Sequence, residues 1–262
     1  MYDTTPHALG SRSLPINSVI CDPIGDSLLQ RFDSHFKTLA ADTAEYIRQA
    51  QRIRYQVYCV ENPLETTLNN PEGVETDEFD AHAVHSLLIA RETGAALGTV
   101  RLIMPCPSAP DQSFALQRLL DPASLKVLLS LPLGSLAEVS RFSISRHFRR
   151  LISYSPESEA DAVSLRSSSP LLRLGLIQGL VRMSVQHEIM HWCALMEPRL
   201  LRMLAAMAIR FSPIGPMVEF RGWRQPCCIN VYEMLQAVRD ERPAFWEMIT
   251  DGGTLMPCSV SA

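Results

Sequence analysis

No run of this sequence is long and apolar enough for a bilayer. The best candidate, LLRLGLIQGLVRMSV, is short and broken by Arg and Gln. The opening residues lack a basic region followed by an apolar block, so no secretory signal is expected and a cytoplasmic protein is. The seven cysteines (Cys21, Cys59, Cys106, Cys193, Cys227, Cys228 and Cys258) are odd in number and contain no C-x-x-C spacing. That argues against a disulfide framework or a zinc knuckle and for free thiols in a reducing compartment. Positive charge is not in excess either: the formal net charge of −4 argues against nucleic-acid binding by bulk electrostatics.

What is present is ordinary globular composition. With 47% apolar and 20% charged residues in 262, the chain can build one substantial core. Residues 1–30, rich in Ser, Pro, Asp and Gly without periodicity, read as an N-terminal arm. Residues 31–250 read as a single domain and 251–262 as a tail. Residues 146–169 follow neither strand nor helix patterning and read as a polar insertion. It opens with the basic cluster Arg146, Arg149 and Arg150.

The organising stretch is 136–146, LAEVSRFSISR, whose alternation of apolar and polar residues predicts a strand. It carries Glu138 and Arg141. Three residues apart, they fall on opposite faces unless a bulge intervenes. Upstream, a short strand is expected between 32 and 41. Residues 44–61 then read as an amphipathic helix with Ile47, Ala50, Arg54, Val57 and Tyr58 at helical spacing. Residues 61–82 form a long acidic segment of the kind that often serves as a functional lid. Two strands around Gly94 read as a hairpin, with Arg101 inside the second. A charge there needs a carboxylate partner, and Glu138, Asp77 and Asp80 are the candidates. Ser169 and Pro170 open a helix to about Gln186, and MHWCALMEP reads as another buried strand. GPMVEFRGWRQPCCINVYEML reads as two strands joined at Arg221-Gly222-Trp223.

HEIMH at 187–191 matches the H-E-x-x-H zincin pattern, which needs both His on one helical face. Gln186 to Glu188 look instead like a helix end, and His191 like the start of a strand. A zinc hydrolase is therefore the weaker alternative, and no metal ligand is assigned.

EVSRFSIS resembles the E-x-SRF signature of the acyl-homoserine lactone (autoinducer) synthases, a branch of the GNAT-type N-acyltransferases. The related N-acyl amino acid synthases and the acyltransferases of PEP-CTERM/exosortase systems resemble them in turn. Three further segments match in order: IRYQVY through Arg54 and Tyr58, ETDEFDAH through Glu75, Asp77 and Asp80, and GTVRLI through Gly98, Arg101 and Leu102. The resemblance spans roughly residues 45–235. It implies an α/β (α+β) GNAT-like fold, a mixed and mostly antiparallel sheet flanked by helices. It also implies transfer of a fatty acyl group, with a lean towards long chains, from acyl carrier protein or possibly coenzyme A to an amine.

In that reading Glu138 is the base, and Arg101 and Arg141 either hold it and the loop carboxylates in register or bind the acceptor's carboxylate. Backbone N–H groups at Phe142, Ser143 and Ile144 polarise the thioester. Arg54, Asp77 and Asp80 serve the acceptor, with Arg54 fixing the loop. Arg146, Arg149 and Arg150 meet an acidic carrier protein, and Met183, Met190, Met196, Met203 and Met207 are available to line the acyl pocket. No cofactor, nucleic acid or membrane span is expected. Two departures bear on the acceptor. Asn62-Pro63-Leu64 stands where autoinducer synthases carry a Trp, and RLIMPC replaces their RLxP-T ending. Both favour amide formation on an amino acid or related amine over lactone formation. A non-catalytic module that binds carrier protein is the remaining alternative.

Overall fold

The computed structural model describes residues 27–147 and 169–257. Most of the N-terminal arm, most of the insertion (including Arg149 and Arg150) and the last five residues lie outside the described part. Among the described residues no helix is long and apolar enough to cross a membrane.

Helix α1 (Leu28–His35) leads into strand β1 (Phe36–Ala40), and α2 (Ala44–Tyr55) follows. The expected strand from 32 is therefore helical in its first half. Ser27 and Gln30 close a capping box that starts the helix, and Phe32 is buried on it. Helix α2 begins at a Thr43 cap and buries Ala50, Ile53 and Arg54. Regular α-helix stops at Tyr55, and residues Gln56–Glu61 continue as a π-helical turn. The hairpin of β2 (Ala83–Ala90) and β3 (Ala96–Ile103) precedes α3 (Pro122–Leu129) and β4 (Leu136–Ile144). Then come α4 (Ser169–Gln186), β5 (His191–Met196), α5 (Pro198–Ala206), and the two-residue strands β6 (Ser212–Pro213) and β7 (Val218–Glu219). Strand β8 (Trp223–Asn230) and helices α6 (Val231–Glu241) and α7 (Pro243–Ile249) complete the order.

The expected second C-terminal strand thus ends at Asn230, and VYEML is helical. The Asn230 side chain accepts the Glu233 N–H at 3.0 Å and starts α6. The tail is not wholly free of the domain, because Leu255 packs into the core.

The sheet runs β1-β2-β3-β4-β5-β8-β6, with β7 paired to β8. Every pairing is antiparallel except β4–β5, which is parallel. That parallel pairing covers only Leu136–Glu138 against His191–Cys193, after which the two strands have no register partners in one another. One face of the sheet carries α2 and the acidic segment. The other carries the main apolar core, in which α4 packs with Phe32, Leu88, Val100 and residues of α6 and α7. Helix α4 lies close on that face because Gly179 has no side chain: a Cβ there would sit 2.4 Å from Ser86 Oγ.

Strands β3 and β4 shift register between Thr99 and Arg101, where Arg141 and Phe142 together oppose Val100. Arg141 takes φ 51°, the left-handed backbone of the first residue in one class of bulge. The bulge answers the facing question raised by the three-residue spacing. Ser140 and Arg141 both project to the acidic side, together with Glu138 and Ser143, while Phe142 turns into the opposite core.

Candidate active site

Three arginines from three elements converge on the acidic segment. Arg54 of α2 is fully buried, donates to Glu75, and grips Asp80 with two bonds of 2.6 and 3.0 Å. Arg101 of β3 donates to Asp77 at 2.6 and 2.9 Å, to Asp80 at 2.7 Å, and to Ser140 Oγ at 2.9 Å. Arg141 at the bulge reaches Glu75 at 2.8 Å and Asp77 at 3.0 Å, with its guanidinium 5.4 Å from the centre of the Tyr58 ring. Such forked, charge-assisted bonds fix both distance and plane. Burial works against ionisation of Glu75, Asp77 and Asp80, but the guanidiniums more than offset it and hold all three carboxyls below their usual range. His85, buried beside Asp80, is pushed down to about 4 by burial and by the neighbouring Arg54, and stays neutral.

Glu138 stands apart from this network. It is buried on the same side of the sheet, and its Oε2 accepts the Leu116 N–H at 3.0 Å. Burial pushes its carboxyl up to about 7, against the opposing pull of that N–H and of Arg101. Of the three candidate partners, Arg101 therefore pairs with Asp77 and Asp80 and not with Glu138. A carboxyl near neutrality can both take and release a proton at working pH.

Glu138, Ser140 and Arg141 line a cavity of about 1230 Å³ that is walled from both sides of the sheet where β4 and β5 part. One end is polar, with Tyr58, Glu65 and Asp77. The core side is mostly apolar, lined by Ile177 and Leu180 of α4, Trp192 and Met196 of β5, and Leu200 and Met203 of α5, although Arg173, Glu197 and Arg199 also reach the wall. Of the five methionines expected there, Met196 and Met203 line the cavity, whereas Met183 and Met207 are packed in the core.

The sequence-selected residues Glu138, Arg101, Arg141, Arg54, Asp77 and Asp80 thus fall in one place. Arg54, having no exposed surface, acts there through the segment it holds rather than by touching a ligand. Phe142 and Ile144 line the cavity, and Ser143 hydrogen bonds the Tyr58 hydroxyl at 2.8 Å. Arg146 is only partly available as a docking cation: its side chain is 56% exposed, but its guanidinium is already bonded to the Glu61 carbonyl at 2.8 Å. Glu75 was missing from the selected set although it opens the matched E-x-D motif, and Tyr58 was missing although it lies one helical turn from Arg54. Nothing in the residue pattern marks Glu61 or the Leu116 amide. The H-E-x-x-H residues do not share a helix: α4 ends at Gln186, Glu188 has φ 57°, and His191 begins β5. The zincin geometry is therefore not formed.

Residues 53–154 match the family described as acetyltransferase (GNAT) domain. Among solved structures, a CoA-dependent acyl-homoserine lactone synthase, BjaI, bound to SAM and isopentyl-CoA, is 19% identical over 79% of this chain and 88% of its own, with a TM-score of 0.52. TofI, in a ternary complex with an inhibitor and MTA, is 19% identical over 80% of this chain and 99% of its own, also with a TM-score of 0.52. FeeM, an N-acyl amino acid synthase from uncultured soil microbes, is 17% identical over 77% and 93%, with a TM-score of 0.43. No curated protein sequence matches. Residues 53–154 thus resemble a GNAT acetyltransferase domain, and the mixed, mostly antiparallel sheet shares the fold of the BjaI and TofI structures.

Proposed function

We propose that this protein is a cytoplasmic N-acyltransferase that moves a long-chain acyl group from a carrier-protein thioester to the amino group of an amino acid or related amine. The observation that carries the reading is the position of Glu138. It is a buried carboxyl near neutrality on the wall of a cavity that is mostly apolar at one end and lined by paired charges at the other. The acyl chain lies between α4 and α5, and the thioester lies beside the bulge. The acceptor enters as an ammonium ion and gives a proton to Glu138, directly or through a water. Its nitrogen then adds to the carbonyl, and backbone N–H groups of the 142–144 stretch take the developing oxyanion. That addition forms the C–N bond; collapse of the adduct restores the carbonyl and breaks the C–S bond. The leaving thiolate takes the second proton from the former amine.

The arginine network keeps the acidic segment in place for this chemistry. Its carboxylates are already bonded to guanidiniums, so they orient the acceptor by field and shape more than by spare charge. Leu64 lines the cavity in the stretch where the resemblance would put an indole, which supports an acceptor other than S-adenosylmethionine. The test is product analysis after mixing the protein with palmitoyl carrier protein and either a pool of amino acids or S-adenosylmethionine. An N-acyl amino acid that disappears with Glu138→Gln supports the reading. A lactone from S-adenosylmethionine would move the acceptor, and no product from either would refute acyl transfer.

A further inference from the structure

The π-helical turn after α2 sets Glu61 against the end of β4, and there the carboxylate is encircled. It accepts Ser145 Oγ at 2.8 Å, the Arg146 backbone N–H at 2.9 Å and the His147 backbone N–H at 2.9 Å. The Arg146 guanidinium folds back on the same residue, with Nε 3.4 Å from the carboxylate and Nη2 2.8 Å from the Glu61 carbonyl. The Glu61 side chain is only 8% exposed. Burial opposes its ionisation, and the His147 and Arg146 N–H groups more than offset that, so it is an anion. Ile144 and Arg146 line the main cavity, and Arg146 is shared with a second hollow of about 360 Å³ that Gln56, Glu61 and His147 complete. The encircled carboxylate therefore sits where the cavity continues past the end of the strand.

A thioester held beside Phe142 places the rest of its pantetheine arm along β4. Four residues further on, roughly 13 Å at the rise of a strand, the arm reaches Arg146. Pantetheine donors end there in phosphate, and converging backbone N–H groups are a phosphate cradle. In this protein those groups already hold the Glu61 carboxylate. We propose that Glu61 selects the donor by charge. It tolerates an arm ending in the single phosphodiester of a carrier protein, which Arg146 meets. It discriminates against a nucleoside diphosphate, whose additional negative charge finds its cradle filled by a carboxylate. This inference rests on the N-acyltransferase reading above and assigns a donor-specificity role to Glu61, a residue outside the matched motifs.

The experiment compares the wild type with Glu61→Gln, which removes the charge, and Glu61→Asp, which keeps it; thermal melts confirm folding. Two quantities are read: the ratio of kcat/KM for palmitoyl carrier protein over palmitoyl-CoA, and the calorimetric Kd for coenzyme A alone. The ratio should exceed about tenfold in the wild type and fall by about tenfold in Glu61→Gln, the size expected when a like-charge contact is removed. Coenzyme A should bind more tightly to Glu61→Gln, while Glu61→Asp keeps the discrimination. Equal use of both donors by the wild type, or unchanged coenzyme A affinity in Glu61→Gln, would overturn the proposal. If no variant transfers from either donor, the N-acyltransferase reading fails, and the coenzyme A affinities still decide whether Glu61 repels that ligand.

Discussion

In Glu138→Gln the amide keeps the volume of the carboxyl and still offers an oxygen to the Leu116 N–H, so the fold should survive while proton transfer does not. A loss of roughly 10²–10⁴-fold in acyl transfer is expected, the usual contribution of a positioned base, measured by amide formation. In the wild type, kcat/KM should rise with pH through about 7, the position to which burial moves this carboxyl, and the variant should lose that limb. The same group leaves a mark on stability with a definite sign. Its folded pKa lies above its unfolded one, so its contribution is complete below about 4.5 and lost as pH rises through about 7. Urea unfolding at pH 5 and pH 8 should show a decline in the wild type that Glu138→Gln does not share. Glu75, Asp77 and Asp80 act in the opposite sense: with folded values depressed, they stabilise above the ordinary carboxylate range and lose that contribution as pH falls.

The acidic segment owes its shape to guanidiniums delivered by a helix and two strands, more than to any regularity of its own. Replacing Arg54 by Met should cost about 3–5 kcal/mol, because Glu75 and Asp80 would be left as buried, uncompensated charges; denaturant midpoints with unchanged slope would check it. Gly98 faces the bulge so closely that a Cβ would lie 2.7 Å from the Ser143 carbonyl oxygen. Gly98→Ala should therefore displace β4, costing about 1–3 kcal/mol and reducing activity more than a distant change of equal cost. Much of this arrangement was legible in the residues. Glu138, Arg141, Arg101, Asp77 and Asp80 stood in segments whose spacing and resemblance pointed to one place, and a charge inside a strand had to be paired. The bulge was stated as a condition, and the structure meets it. The placement of Glu61 was not legible, because it depends on a π-helical turn that side-chain periodicity does not reveal. The start of α6 was misread because β-favouring residues run straight up to Asn230, and only its capping bond shows that the strand ends there.

At the scale of the whole molecule, the parting of β4 from β5 makes the cavity a passage between two unlike environments, with charge chemistry on one face and apolar packing on the other. Filling the apolar end should shorten the acyl chains accepted. Met203→Trp is expected to shift the preferred donor towards shorter chains by several carbons without changing the pH profile set by Glu138, which a series of carrier-bound acyl groups would test. The seam itself has another consequence. Three residue pairs join β1–β4 to the β5–β8 half, whereas β1–β2, β2–β3, β3–β4 and β5–β8 each pair over five or more. Regions held by few backbone bonds open first. Amide hydrogens of 136–138 and 191–193 should therefore exchange with deuterium before those of β2 and β3, so that the protein breathes along the line where its substrate would lie.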